Sequence, residues 1–186
     1  MLTRYVAALL VASASPNIAA ETVAVESVSP LPAAAAPEAL RRFPGRYAFS
    51  GGDAQRRALQ NAIEAVVAEM SPVLRRMARR RLVQGNPIPD AIAIDVSGET
   101  VTIAFDDRRY TAVLGARAVS VVGIDGNRAE LTHRVEGTRL TERFDVARGE
   151  RWNLFHVRND KLRLTVIIES ESLPADLVYE LTFTRQ

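Results

Sequence analysis

Four polar side chains fall at positions where the alternation of polar and apolar residues predicts a buried interior: His133, Glu142, His156 and Tyr179. A few convergent polar groups in an apolar lining are typical of a small-molecule pocket, where they orient the ligand. The same pattern is typical of a filled core that contains a few hydrogen-bonded polar side chains. The sequence leaves both interpretations open.

The two histidines raise a third possibility, because they lie on separate strands and could converge on a metal ion or a haem. Recognisable catalytic patterns are missing, since the sequence has no cysteine, no Gly-x-Ser-x-Gly elbow, no phosphate-binding loop and no histidine pair at helical metal-binding spacing. We therefore expect a protein that is not an enzyme and that has no catalytic residue, metal ion or cofactor.

The elements that must position these side chains are short strands. From Ile92 onward apolar residues recur at every second position, and breaks such as Asp125-Gly126-Asn127 and Asn159-Asp160 separate runs of six to nine residues. Two-residue turns favour antiparallel neighbours. A polar outer face and an apolar inner face are typical of a closed meander. With the segment Arg46–Ser50 added, the sequence predicts a mainly-β, antiparallel up-and-down barrel of about 8–10 strands. Its predicted interior includes Phe105 and Trp152.

A helical stretch precedes most of the strands. In the segment 53–83 apolar residues are spaced by three and four along one face: Leu59, Ile63, Val66, Met70, Leu74 and Met77. Ser71-Pro72 interrupts this stripe, and because Pro is tolerated at the first helical position, one long kinked helix and a helix pair are equally compatible with it. The segment should cover one end of the barrel as a lid.

The second half of this stretch is basic, with Arg75, Arg76, Arg79 and Arg80 around the apolar stripe. Such a helix can lie on an anionic membrane surface. The alternative is a solvated face whose arginine stems cover the edge of the core. Because 23 of the 24 basic residues are Arg and only Lys161 is Lys, arginine is favoured throughout the sequence, and this arginine cluster is weaker evidence for a function than it would be in a balanced composition. The formal net charge of +2 does not imply a nucleic-acid partner.

The N-terminus reads as a targeting segment. Arg4 precedes an apolar run and then small residues, which predicts a signal peptide over residues 1–20 with cleavage after Ala14 or Ala20. Pro16 interrupts the run too early for a membrane anchor. Residues 21–40 are rich in Ala and Pro and predict a disordered linker, so residues 41–186 form the barrel domain. We expect a periplasmic or secreted monomer.

From Phe43 to Arg185 this layout resembles the calycins, the superfamily of the lipocalins and fatty-acid-binding proteins. Gly45-Arg46-Tyr47 stands where those proteins begin their first strand with Gly-x-Trp, and Arg185 stands where lipocalins place an arginine across that aromatic ring. The resemblance implies a ten-stranded barrel with a helical pair between its first two strands. The last strand, which begins at Tyr179, lacks the Arg-x-Tyr with which fatty-acid-binding proteins recognise a carboxylate, so fatty-acid binding is not implied.

Two functional hypotheses follow. In the first, the barrel binds a hydrophobic small molecule or lipid beneath the lid, and the lid can also make peripheral membrane contact through its arginines. In the second, a solid barrel serves as a structural or interaction module without a ligand. For the first, the predicted ligand-binding residues are Met70, Leu74, Met77, Phe105, His133, Glu142, Trp152, His156 and Tyr179.

Overall fold

The computed structural model describes residues 38–186, all within one compact unit. A short 3-10 helix (Glu38–Leu40) leads into strand β1 (Gly45–Phe49), which is followed by helices α1 (Gly52–Ala68) and α2 (Pro72–Gly85). The remaining strands are β2 (Ala91–Ser97), β3 (Thr100–Phe105), β4 (Arg108–Val113), β5 (Val119–Val122), β6 (Arg128–Glu136), β7 (Arg139–Val146), β8 (Gly149–Arg158), β9 (Lys161–Ser170) and β10 (Leu177–Arg185). The predicted signal peptide and residues 21–37 of the predicted linker lie outside this range.

The ten strands form one antiparallel sheet in the order β4-β3-β2-β1-β10-β9-β8-β7-β6-β5. Neighbours in the chain are neighbours in the sheet, and β1 joins its two halves by pairing with both β2 and β10. The sheet curls until β4 approaches β6, where the Gly115 amide donates to the His133 carbonyl at 3.0 Å. The predicted up-and-down barrel is therefore confirmed, and it is nearly closed.

One end of the barrel is packed solid around Tyr47, which is fully buried together with Leu40 and Phe43. The Tyr47 hydroxyl donates to the Phe43 carbonyl at 2.8 Å, and the Arg185 guanidinium lies 4.8 Å from the centre of the Tyr47 ring. The arginine packs across the first-strand aromatic as the resemblance implied. Because Leu40 belongs to this core, the folded chain begins before residue 41.

The helical stretch is a pair of helices rather than one kinked helix. Helix α1 ends at Ala68, and Pro72 occupies the first turn of α2, where its missing N–H costs no hydrogen bond. The side chain of Arg75 turns back and donates to the carbonyls of Val67 (3.2 Å), Ala68 (2.8 Å) and Met70 (3.1 Å). These carbonyls have no partner within α1, so the arginine caps its C-terminal end.

Among the strands for which the sequence predicts an inward face, β2, β3, β6, β7, β9 and β10 have that face inside and β8 does not. There the inward residues are Arg151, Asn153, Phe155 and Val157, since Asn153 pairs with the inward Glu142 and Phe155 with the inward Leu140. Trp152 and His156, which were predicted to point inward, lie on the outer face opposite Arg143 and Arg139. The prediction was wrong because the outer face of β8 is the more apolar at these positions, with Trp152 and Leu154 outside and Arg151 and Asn153 inside.

Candidate functional site

A cavity of about 1300 Å³ lies between the open end of the barrel and helix α2. Its rim is formed by the turns that join β3 to β4, β5 to β6, β7 to β8 and β9 to β10, and its roof is α2. Ligand pockets commonly enclose about 300–1,000 Å³, so this space is large enough for a small molecule or a lipid chain.

The roof of the cavity is mainly apolar, although Arg81 and Gln84 of α2 also line it. Met70, Leu74 and Met77 all line it, as the sequence predicted, and Leu74 and Met77 remain 47% and 48% exposed. Leu74 and Met77 therefore remain half-exposed at the cavity, whereas Met70 is partly buried and packs against the main core. Phe105, another predicted ligand-binding residue, lines the wall together with Phe144, Leu164 and Leu181.

A polar cluster, consisting of Arg151, Asn153, Tyr179 and Asn86, interrupts the apolar wall. The Nε of Arg151 donates to Oδ1 of Asn153 at 3.1 Å, and its Nη1 donates to Oδ1 of Asn86 at 2.9 Å. The Tyr179 hydroxyl accepts from Nη2 of Arg151 at 3.3 Å and donates to the same Asn86 oxygen at 3.1 Å. The cluster therefore joins β8, β10 and the end of α2, and all four residues line the cavity.

Glu142 and His133 support this cluster from behind. Both are fully buried, and Nε2 of His133 lies 3.3 Å from Oε1 of Glu142. Oε2 of Glu142 accepts from Nδ2 of Asn153 at 2.7 Å. Because the carboxylate fixes the amide of Asn153, the amide oxygen is the atom that faces Arg151. His133 and Glu142 are interior residues as predicted, but they lie outside the set that lines the cavity.

Tyr110 adds a hydroxyl group to the wall and lies 6% exposed. Burial, followed by the negative charge of Glu142, raises the pKa of Tyr110 above its ordinary value. The phenol therefore stays neutral around neutral pH and can both donate and accept a hydrogen bond.

The two histidines do not converge. His133 is inside the barrel, whereas His156 is on the outer face, where its Nδ1 lies 3.4 Å from the Thr138 hydroxyl. Among residues 38–186 no group of three or more His, Asp and Glu side chains is placed to hold a metal ion. A shared metal or haem between these histidines is thus ruled out by their geometry.

The residues that sequence reasoning missed are Arg151, Asn153, Asn86 and Tyr110. The positions of Arg151 and Asn153 could have been predicted from the hairpin between β7 and β8. A two-residue turn pairs even-numbered residues of one strand with odd-numbered residues of the next. Glu142 and Phe144 point inward on β7, so the odd-numbered Arg151 and Asn153 must share their face. No comparable signal marks Asn86, since its role depends on where the end of α2 meets the barrel.

The predicted membrane-surface arginines divide into two kinds. Arg75 caps α1, and Arg79 pairs with Glu64 of α1 with Nε and Oε1 separated by 2.6 Å. Arg76 and Arg80 are exposed. No helix within residues 38–186 has the length and apolar character needed to cross a membrane.

No protein-family model matches the sequence, and no curated protein is found to match it. Solved structures are similar in fold. Lipid binding protein 8 of Caenorhabditis elegans, in its apo form, matches with a TM-score of 0.53 at 12% identity, over 79% of this chain and 97% of that one. A Schistosoma mansoni fatty acid binding protein in complex with arachidonic acid matches with a TM-score of 0.52 at 15% identity, over 80% and 98%.

Fatty-acid-binding protein 1 of Echinococcus granulosus gives a TM-score of 0.50 at 17% identity, over 77% of this chain and 97% of that one. Identities this low show the fold alone. The similarity in fold agrees with the ten-stranded antiparallel sheet and with the helix pair between β1 and β2. The described chain therefore has the calycin fold, in the ten-stranded arrangement of the fatty-acid-binding proteins.

Proposed function

We propose that this barrel binds a hydrophobic small molecule or lipid beneath α2, as a monomer and without catalysis. The observation that carries the proposal is the cavity of about 1300 Å³ whose roof includes half-exposed apolar side chains. A solid structural module would bury Leu74 and Met77 against the barrel. Two proteins of similar fold are a lipid binding protein and a fatty acid binding protein in complex with arachidonic acid, which supports the same ligand class.

The polar cluster supports an acidic head group on that ligand. The acceptors around the partly buried Arg151 are all neutral, and within residues 38–186 it forms no salt bridge. The buried carboxylate of Glu142 reaches Arg151 only through the Asn153 amide, so an acidic ligand that contacted the guanidinium directly would gain a charge-assisted pair that Arg151 lacks. Arg151 lies on β8 and Tyr179 on β10, so this arrangement differs from the Arg-x-Tyr motif of fatty-acid-binding proteins, in which both residues lie on the final strand.

The binding proposal can be tested by titrating an anionic aromatic fluorescent probe, 1-anilinonaphthalene-8-sulfonate, into three proteins. Ala78→Trp places a large ring at the cavity roof, because Ala78 lines the cavity. Val73→Trp is the matched control, since Val73 is 85% exposed on the same helix. We expect binding to the wild type and to Val73→Trp and a loss of about tenfold in Ala78→Trp. Equal binding by both variants would contradict a site under α2.

Contact with a membrane is a second proposed property, favoured by the outer side of α2. Val73 and Val83 are 85% and 53% exposed, and Arg76 and Arg80 lie on the same exposed helix. An apolar surface flanked by arginines suits an anionic bilayer. Arg76→Glu with Arg80→Glu should abolish sedimentation with phosphatidylglycerol vesicles and preserve the circular dichroism spectrum. Unchanged sedimentation, or none by the wild type, would contradict the proposal.

Export to the periplasm or the extracellular space is proposed from residues 1–20 alone. The support is the basic residue, the apolar run and the small residues that precede two cleavage points. The mass of the protein recovered from its own cells is the test. Mature chains that begin at Ser15 or Glu21 would support export, and a chain that retains its first 20 residues would contradict it.

A further inference from the structure

Arg151 is shared between the barrel wall and the lid helix. Its Nη1 donates to the Gly85 carbonyl at 3.3 Å and to Oδ1 of Asn86 at 2.9 Å, which are the last residue of α2 and its C-cap. The same guanidinium lines the cavity. We call the bonds from Arg151 to Gly85 and Asn86 the latch. One cation thus holds the end of α2 and faces the space where a ligand would lie.

The two sides of the latch are not equally secure. On the barrel side Arg151 is held by Asn153, which is 2% exposed and donates to the fully buried Glu142 at 2.7 Å. On the lid side α2 buries none of its own residues; Ala78 and Leu82 pack partly buried against the core, and only the C-cap Asn86, at 5% exposure, is buried. An element with few buried apolar contacts opens at low free-energy cost. An acceptor that competes for Arg151 would therefore displace Gly85 and Asn86 before it displaced Asn153.

Arg151 has too few free N–H groups to pair with a ligand carboxylate and keep all of its present hydrogen-bond acceptors. A guanidinium has five N–H donors, and four are used by Asn153, Gly85, Asn86 and Tyr179. A carboxylate pairs with arginine through two parallel N–H groups. At least one present acceptor must leave, and a charged acceptor forms about twice as strong a hydrogen bond as the neutral carbonyl it replaces.

We propose that Arg151 couples the chemistry of the ligand to the position of the lid. An acidic head group takes the Nη1 group from Gly85 and Asn86, which opens the latch, leaves Asn86 held to the barrel by the Tyr179 hydroxyl alone and loosens the C-terminal end of α2. An uncharged ligand of the same length leaves the latch closed. The inference rests on the proposed function, because it requires an apolar ligand in the cavity.

Hydrogen–deuterium exchange of the full-length chain with dodecanoate or dodecanol tests the coupling. The two probes share an apolar chain and differ in the acidic group. We expect dodecanoate to speed exchange in the last turn of α2, residues 82–86, by about tenfold, as the loss of one charge-assisted hydrogen bond would do. Dodecanol should leave that exchange unchanged. Binding of both probes with the same exchange would overturn the coupling.

Two variants test the latch itself. Arg151→Gln removes it, so exchange at residues 82–86 should be fast without a probe and insensitive to dodecanoate. Asn86→Asp places a carboxylate beside Arg151, although it also removes the donation from Nδ2 of Asn86 to the Leu82 carbonyl at 2.8 Å, and it should weaken dodecanoate binding by about tenfold with dodecanol binding unchanged. Wild-type affinity for dodecanoate in Asn86→Asp, or wild-type exchange in Arg151→Gln, would contradict the inference.

The same measurements separate this inference from the proposed function. If the wild type binds neither probe, both the proposed ligand-binding function and the proposed coupling are contradicted. If the wild type binds both probes and the exchange rates do not differ, the binding site stands and only the coupling is wrong.

Discussion

Helices α1 and α2 are held in the structure in different ways. Helix α1 buries Leu59, Ile63, Val66 and Val67 in the main core, and its Gln55 accepts from the Thr182 amide of β10 at 2.7 Å. Helix α2 fully buries none of its residues; Ala78 and Leu82 pack partly buried against the core, and polar contacts from Arg75 and Arg151 hold its two ends. The first helix is part of the fold, whereas the second is a cover over a cavity.

This difference shows that an apolar stripe does not by itself identify a core element. The stripe of α1 removes apolar area from water at about 25 cal/mol per Å², which stabilises the domain. The stripe of α2 remains partly exposed and can gain the same stabilisation only from a bound molecule. The cost of leaving it exposed in the folded protein is what makes α2 suited to binding.

The largest expected effect is on stability, from truncating the same kind of side chain in each helix. Ile63→Ala removes a side chain that is 2% exposed and should lower the free energy of unfolding by about 2–5 kcal/mol. Leu74→Ala, at 47% exposure, should change it by at most about 0.5 kcal/mol. Urea denaturation measures both. Equal losses would mean that α2 is a core helix, and the comparison would fail.

The junction between the helices should give the next largest effect. Arg75→Gln removes three hydrogen bonds to carbonyls at the end of α1 and should cost about 1–3 kcal/mol. The neighbouring Arg76→Gln is the control and should cost at most about 0.5 kcal/mol. A similar midpoint of urea denaturation for both variants would show that the cap does not stabilise the junction.

Ligand affinity should separate the two sides of α2. Met77→Ala removes apolar contact from the cavity roof and should weaken binding of 1-anilinonaphthalene-8-sulfonate by about fivefold, which corresponds to roughly 1 kcal/mol of lost burial. Val83→Ala, at an exposed position outside the lining, should bind the probe like the wild type. If both variants bind equally well, Met77 does not face the ligand.

The smallest effect should come from the exposed pair that links the helices. The hydrogen bond from Arg79 lowers the pKa of Glu64 below its ordinary value. A carboxyl group with a lowered folded-state pKa stabilises the protein above its unfolded-state pKa, and that contribution disappears as the pH falls through the folded-state value. Thermal midpoints of the wild type and Glu64→Gln should therefore differ slightly near neutrality and converge below about pH 4. A difference between the two thermal midpoints that grows toward low pH would contradict this prediction, because it would mean that ionised Glu64 does not stabilise the folded protein.

Most of the barrel could be predicted from the sequence because its strands alternate cleanly. In β2 and β3, for example, Ile92, Ile94 and Ile103 are all fully buried as the alternation requires. Strand β8 broke this rule, since its interior positions 151 and 153 are polar and its exterior position 152 is Trp. The polarity of single residues predicted the wrong inward face for β8, because hydrogen bonds to Asn86 and Glu142 compensate the polar side chains of Arg151 and Asn153 inside the barrel.

The cavity itself could not be predicted in the same way. Met70, Leu74 and Met77 have the same spacing whether they meet a packed barrel or an open one, and only the placement of α2 over the rim decides between the two. Asn86 likewise became a site residue because the end of α2 reaches Arg151, at a separation of 65 residues along the chain. Long-range contacts of this kind leave no local pattern in the sequence.

The central claim is that α2 covers a ligand site and is not part of a solid core. Native mass spectrometry of the protein purified from its own cells, followed by organic extraction, tests it most directly. We expect one apolar molecule with an acidic group per barrel, and we expect Ala78→Trp purified in the same way to lack it. A wild-type protein that is reproducibly free of any bound molecule, and that takes up neither dodecanoate nor dodecanol, would contradict the account.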